Sequence, residues 1–255
     1  MIPWMMLRSH TCGCRTCCYW AQFNNGLIMT AIASNLQAVH RALAQAMRAV
    51  RRSPGGVELL AVSKAFPATA VREACQAGQR AFGESYVQEA LDKIAALRDL
   101  PLQWHFIGPI QSNKTRAIAE HFSWVHSVDR LKIAERLSAQ RPPDLPPLNV
   151  CIQVNVSGET SKGGVAPGEA AELAQAVLRL PQLHLRGLMT IPAPVEGVEA
   201  QRIPFARLYE LMQELNKQGL GLDTLSMGMS HDFEAAVQEG ATIVRVGTAI
   251  FGERN

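Results

Sequence analysis

The chain has 255 residues, of which 47% are hydrophobic and 18% charged, and its formal net charge is +3. This composition is that of an ordinary globular protein, and the length suits one large α/β domain or two small ones. The basic residues form no dense run and no apolar stretch is long enough to span a bilayer, so neither a nucleic-acid nor a membrane partner is expected.

Residues 1–28 stand apart, with Cys12, Cys14, Cys17 and Cys18 and two of the four tryptophans, and with no helical or strand period. A thiolate metal knuckle is one reading, but structural sites usually space two cysteine pairs around a folded loop. A signal peptide is another, but Arg8, His10 and Arg15 interrupt the apolar stretch it needs. The reading adopted is a disordered or spurious extension, with the functional protein, 29–255, starting near Met29. Only Cys75 and Cys151 then remain, which fits a reducing cytoplasm.

A helix is predicted to start near Thr30 or Ser34. Ile32, Leu36, Val39, Leu43, Met47 and Val50 form its apolar face, and Pro54-Gly55-Gly56 stops it. From Val57 onward, short apolar runs alternate with helical patterns. The strands are predicted at 57–64, 81–85, 104–108, 124–128, 150–156, 185–190, 222–227 and 243–251. Helices are expected at 69–77, through Leu97, from near Lys114 and Arg130, and at 168–180, 205–215 and 232–239. Strict alternation implies parallel strands and right-handed crossovers, and eight units match a closed (β/α)8 TIM barrel better than an open sheet. No Gly-x-Gly-x-x-Gly follows the first strand, which weakens a dinucleotide reading.

Active sites of such barrels lie at the C-terminal strand ends. Those ends carry Lys64, Glu84-Ser85, His105 and Gly108, Asn155, Thr190, Ser226 to Ser230, and Arg245 to Thr248. Lys64, one of six lysines, closes the run Leu59-Leu60-Ala61-Val62. Partial burial there raises the neutral fraction of an amine, as Schiff-base formation requires, although a snorkelling lysine fits the same spacing. The glycines and hydroxyls after strands seven and eight, Gly228, Ser230, Gly247 and Thr248, suit a phosphate cradle, although turn chemistry alone accounts for each. Arg245 shares a strand face with Gly247, and a buried arginine needs an acceptor such as a carboxylate or a ring nitrogen.

Leu60 to Lys64, Phe82 to Glu89, Trp104 to Gly108, Gln111 to Lys114, Gly187 to Met189, Met227 to Ser230 and Arg245 to Gly252 resemble the pyridoxal phosphate homeostasis proteins. The similarity runs in order from about Met29 to Arg254. It implies a barrel of the alanine racemase N-terminal-domain type with an extra N-terminal helix. It also implies pyridoxal 5′-phosphate (PLP) as cofactor, carried as a Schiff base on Lys64. By the same motifs Ser230, Gly247 and Thr248 hold the phosphate, Arg245 faces the pyridine nitrogen, and Met229 is a further cofactor-binding residue. The family usually has Asn at the position of Ser85. A cofactor contact there is shortened or bridged by water.

The expected protein is a cytoplasmic carrier in PLP homeostasis, without metal or catalytic residues, and a monomer or weak dimer. Apo PLP-dependent enzymes are its candidate recipients. The alternative is an amino-acid racemase of weak activity. Racemisation needs a second acid–base group, supplied in related racemases by a tyrosine of a C-terminal domain. This chain ends just past strand eight, and among Tyr19, Tyr86 and Tyr209 only Tyr86 falls near the mouth. An arginine beside the ring nitrogen also weakens the ring as an electron sink. Lys114 and Lys162, in loops on the same face, are candidate acceptors during hand-over.

Overall fold

The computed structural model describes residues 30–159 and 163–253. The segment 1–28 and Lys162 lie outside the described residues. Residues 31–255 make one compact unit.

The first helix, α1 (Ala31–Ala49), buries Leu36, Val39, Leu43, Ala46 and Met47, so the expected apolar face is the packed one. Beyond it Arg52 donates Nη1 to the Val237 and Ala241 carbonyls at 3.2 and 2.7 Å, tying the connection to the far end of the chain.

Eight strands then alternate with helices. The first half runs β1 (Glu58–Val62), α2 (Ala68–Gln76), β2 (Ala81–Glu84), α3 (Val87–Ala96), β3 (Gln103–Phe106), α4 (Thr115–His121) and β4 (Trp124–Val128). The second half runs α5 (Leu131–Gln140), β5 (Leu148–Gln153), α6 (Ala170–Leu178), β6 (Leu183–Met189), α7 (Val198–Lys217), β7 (Thr224–Ser226), α8 (Phe233–Gln238), β8 (Ile243–Val246) and α9 (Thr248–Phe251). All neighbours pair in parallel, and Leu60 of β1 stands opposite Arg245 of β8, closing the barrel. The alternation read from the sequence thus yields the expected (β/α)8 architecture with its additional N-terminal helix.

Strand alternation splits the apolar residues into two sets. Leu59, Ala61, Val125, Val150, Ile152, Val244 and Val246 join the large core beneath the helices. Leu60, Ala81, Trp124, Cys151, Met189 and Ile243 form a smaller cluster inside the barrel. Among the described residues no helix is long and apolar enough to cross a membrane.

Two boundaries differ instructively from expectation. The eighth strand was expected to run through Phe251 but stops at Val246. Gly247 (φ −117°, ψ −73°) turns the chain out of the sheet, and Thr248–Phe251 become helical with Ile250 buried. Helix α7 starts at Val198 rather than near Phe205. The helix runs through Pro204, and its first turns leave Val198 and Ile203 exposed, so they carry no buried apolar period.

Candidate functional site

At the C-terminal mouth of the barrel lies a cavity of about 280 Å³. Its wall includes Lys64, Met229, Ser230, Arg245, Gly247 and Thr248, so all six sequence-predicted residues face one space. Val62, Phe66, Ser85, Ile107, Ile191 and His231 complete the lining. Of these, Ser85, which the resemblance marks as replacing an asparagine, falls inside the site. The rest were not singled out, because apolar residues and one histidine in loops carry no spacing signal. Phe66 stacks on Phe251 with ring centroids 5.1 Å apart, linking the loop after β1 to α9.

Lys64 is half-buried, two residues beyond β1. Ser230 brings a hydroxyl from the loop after β7, and Thr248 one from the start of α9. Two residues before Ser230, Gly228 (φ +90°) adopts a conformation L-residues avoid, and a Cβ there would lie 2.6 Å from that of Ala236. Gly228 therefore lets the loop after β7 lie flat against α8. Its carbonyl accepts the Arg245 N–H at 2.9 Å, holding the loop after β7 against β8. The first turn of α9, at Thr248, leaves N–H groups without intrahelical acceptors, as every helix start does.

Arg245 is 4% exposed. Its Nη1 donates to Ser226 Oγ at 2.8 Å and its Nη2 to the Thr190 carbonyl at 2.8 Å. The expected acceptor is thus partly supplied by the protein itself, a hydroxyl and a carbonyl rather than a carboxylate. Burial lowers its pKa to about 10, which leaves the guanidinium cationic at neutral pH.

Behind Arg245 runs a chain that the sequence did not reveal. His126 Nδ1 lies 2.7 Å from Ser226 Oγ, and His126 Nε2 lies 2.9 Å from His105 Nδ1. Arg245 can only donate, so Ser226 accepts from it and can pass its own O–H to His126. His126 then donates to His105, whose Nε2 has no hydrogen-bond partner. His105 also stacks on Trp124, with centroids 5.4 Å apart and planes 6° from parallel. Burial pushes the His105 pKa down to about 3. His126 is lowered by burial first, then by His105 and the Arg245 charge. Both rings are neutral. His105 was expected at the mouth, yet it points into the barrel interior, because its position in β3 is inward and below the rim.

Other strand-end residues are structural. The Thr190 hydroxyl donates to the Val154 carbonyl, and the Asn155 side-chain amide donates to the Glu159 carbonyl. Tyr86 is 58% exposed and not part of the cavity wall, and neither is Lys114, which ends a 3-10 turn, Ser112–Lys114. Among the described residues, no cluster of side chains could hold a metal ion.

Comparison with known proteins places this geometry in a family. The model of the alanine racemase N-terminal domain matches residues 34–255. The pyridoxal phosphate homeostasis protein of Pseudomonas aeruginosa is 65% identical over 227 residues, covering 89% of this chain and 97% of its relative. That of Escherichia coli is 52% identical over 237 residues, covering 89% and 98%. The solved structure of PipY from Synechococcus elongatus with PLP bound superposes with a TM-score of 0.76 at 41% identity, covering 87% of this chain and all of that one. The chain belongs to the alanine racemase N-terminal domain family and, within it, to the pyridoxal phosphate homeostasis proteins.

Proposed function

We propose that this protein binds pyridoxal 5′-phosphate at the barrel mouth and serves PLP homeostasis, holding the cofactor as a Schiff base on Lys64 without turnover of its own. The observation that carries the reading is the meeting of Lys64, Ser230, Gly247, Thr248 and Arg245 on one cavity wall. The relatives' names and the PLP-bound PipY structure support the same ligand.

The residue set fits a phosphorylated aromatic aldehyde. Bound there, the cofactor supplies an aldehyde that condenses reversibly with an amine, water leaving as the carbon–nitrogen double bond forms. The chain's own work is binding and orientation. Ser230, Met229, Gly247 and Thr248 surround the phosphate. Ile107 and Ile191 supply apolar walls for the ring. Arg245, already cationic, disfavours a second positive charge on a ring nitrogen beside it, which suits storage better than carbanion chemistry. Release to apo PLP-dependent enzymes in the cytoplasm completes the role. The buried thiols of Cys75 and Cys151 are unpaired, in keeping with a reducing compartment.

The test is a visible spectrum with borohydride reduction, in wild type and Lys64→Ala. The wild type is expected to show an imine band that reduction bleaches, with the added mass on the Lys64 peptide, and the variant none. A wild type that stays colourless with added PLP overturns the reading. The alternative, a weak racemase, rests on His231, a cavity-wall imidazole that could move a proton. Chiral analysis of alanine incubated with the loaded protein is expected to show no conversion; conversion that His231→Ala abolishes would replace the carrier with the enzyme.

A further inference from the structure

Lys64 sits between two residues that are tied from behind. On one side, Ser63 donates its hydroxyl to Glu84 Oε1 at 2.6 Å, and its carbonyl accepts from Lys93 Nζ at 2.7 Å. On the other side, the Ala65 N–H donates to Glu89 Oε1 at 2.7 Å. Lys93 joins the two, because its ammonium also donates to Glu84 Oε1 at 2.7 Å and to Glu89 Oε1 at 2.6 Å. All three of its N–H bonds are thereby engaged, by oxygens from the end of β1, from β2 and from α3.

The arrangement is costly. Glu84 and Lys93 side chains are 0% and 5% exposed, and Glu84 Oε2 has no partner. Ala65 holds φ +66°, a left-handed conformation that an L-residue adopts only when its surroundings impose it. Buried ion pairs add little net stability, and apolar residues would fasten α3 to β2 equally well. Apolar residues could not hold a carbonyl and an N–H on both flanks of Lys64.

We propose that Glu89 and Lys93 are positioning residues, which lock the Ser63–Ala65 turn so that the Lys64 amine is presented to the cavity in the geometry an aldehyde requires. The proposal rests on the PLP-binding reading given above. Its distinguishing consequence is that the network acts on the covalent step and not on the phosphate cradle.

The experiment titrates the apo-protein with PLP and, separately, with 4′-deoxypyridoxine 5′-phosphate, which keeps ring and phosphate but lacks the aldehyde. Glu89→Ala is expected to weaken PLP binding about tenfold, the worth of one charge-assisted hydrogen bond, and to leave the analogue's affinity unchanged. Glu89→Gln keeps an acceptor for the Ala65 N–H and is expected to recover most of the loss. Lys93→Met tests the buried member. Should it fail to fold, the part-exposed Glu89 still decides the matter. Unaltered PLP affinity in Glu89→Ala overturns the proposal, as does an equal loss for both ligands, which would mean general loosening. A wild type without a reducible adduct at Lys64 instead removes the underlying reading.

Discussion

Acidification from pH 7 to pH 5 should expose His105 as a destabilising group. Folded, its pKa is about 3; its unfolded value is near 6.5. Between those values the unfolded chain takes up a proton that the folded chain refuses. The stability His105 confers is therefore complete above pH 6.5 and is lost as pH falls toward 3, at about 1.4 kcal/mol per pH unit. From pH 7 to 5 the loss is about 2 kcal/mol, or roughly 4–8 °C in Tm for a domain of this size. His126 shifts in the same direction. Glu58 and Glu84, raised by burial, act oppositely over part of this window, so wild type alone does not isolate the effect. His105→Asn supplies the reference, since its side-chain oxygen can still accept from His126 Nε2 while nothing titrates at that position. Thermal melts of both proteins at pH 7, 6 and 5 should show the variant falling less steeply, by about those 4–8 °C overall. Profiles that differ only by a constant offset would mean that His105 takes its proton while folded, and the buried chain as described would be wrong.

Two further substitutions probe the site. Ser226→Ala strips both Arg245 Nη1 and His126 Nδ1 of their shared partner and should cost about 2–5 kcal/mol, lowering Tm by roughly 4–20 °C; a drop under about 2 °C would sink the relay. Gly228→Ala forces a side chain into φ +90° and to within 2.6 Å of Ala236, at a cost of about 2–3 kcal/mol. It should also weaken inorganic phosphate binding measured by calorimetry, and wild-type affinity would argue that this loop is not the cradle.

Much of the fold was legible because a parallel barrel repeats one signal: an apolar run, a turn and an amphipathic helix. The strand 124–128 was placed to the residue, since Trp124, Val125 and Val128 are strand formers between Ser123 and Asp129. Ends were less legible where a glycine changes direction. Gly247 looks like strand continuation in sequence, and only its dihedrals turn Thr248–Phe251 into a helix. In the site, Lys64 and Arg245 were conspicuous because charges are rare in apolar strands. His231 was not, because a histidine in a polar loop is ordinary. The polar chain through Ser226, His126 and His105 joins the consecutive strands β3 and β4 to β7, 100 residues beyond His126, and no local pattern encodes such a meeting. The same holds for Lys93, which reads as a surface lysine on an amphipathic helix until its three acceptors are seen.

The barrel's hoop is not equally strong all round. Strands β5 and β6 pair from Leu148 opposite Leu183 to Gln153 opposite Met189, with one register shift after Val150, whereas β7 and β8 share only Ser226 opposite Ile243. Above that point β7 has ended, and the Arg245 N–H of β8 donates instead to the Gly228 carbonyl in the loop that follows β7. An anion gripped by that loop and by the start of α9 would act as a rivet across the weakest seam. Cargo and container then reinforce each other: the loaded barrel resists opening at β7–β8, and the empty one breathes there first, which marks the seam as the place where slow amide exchange should distinguish full from empty protein.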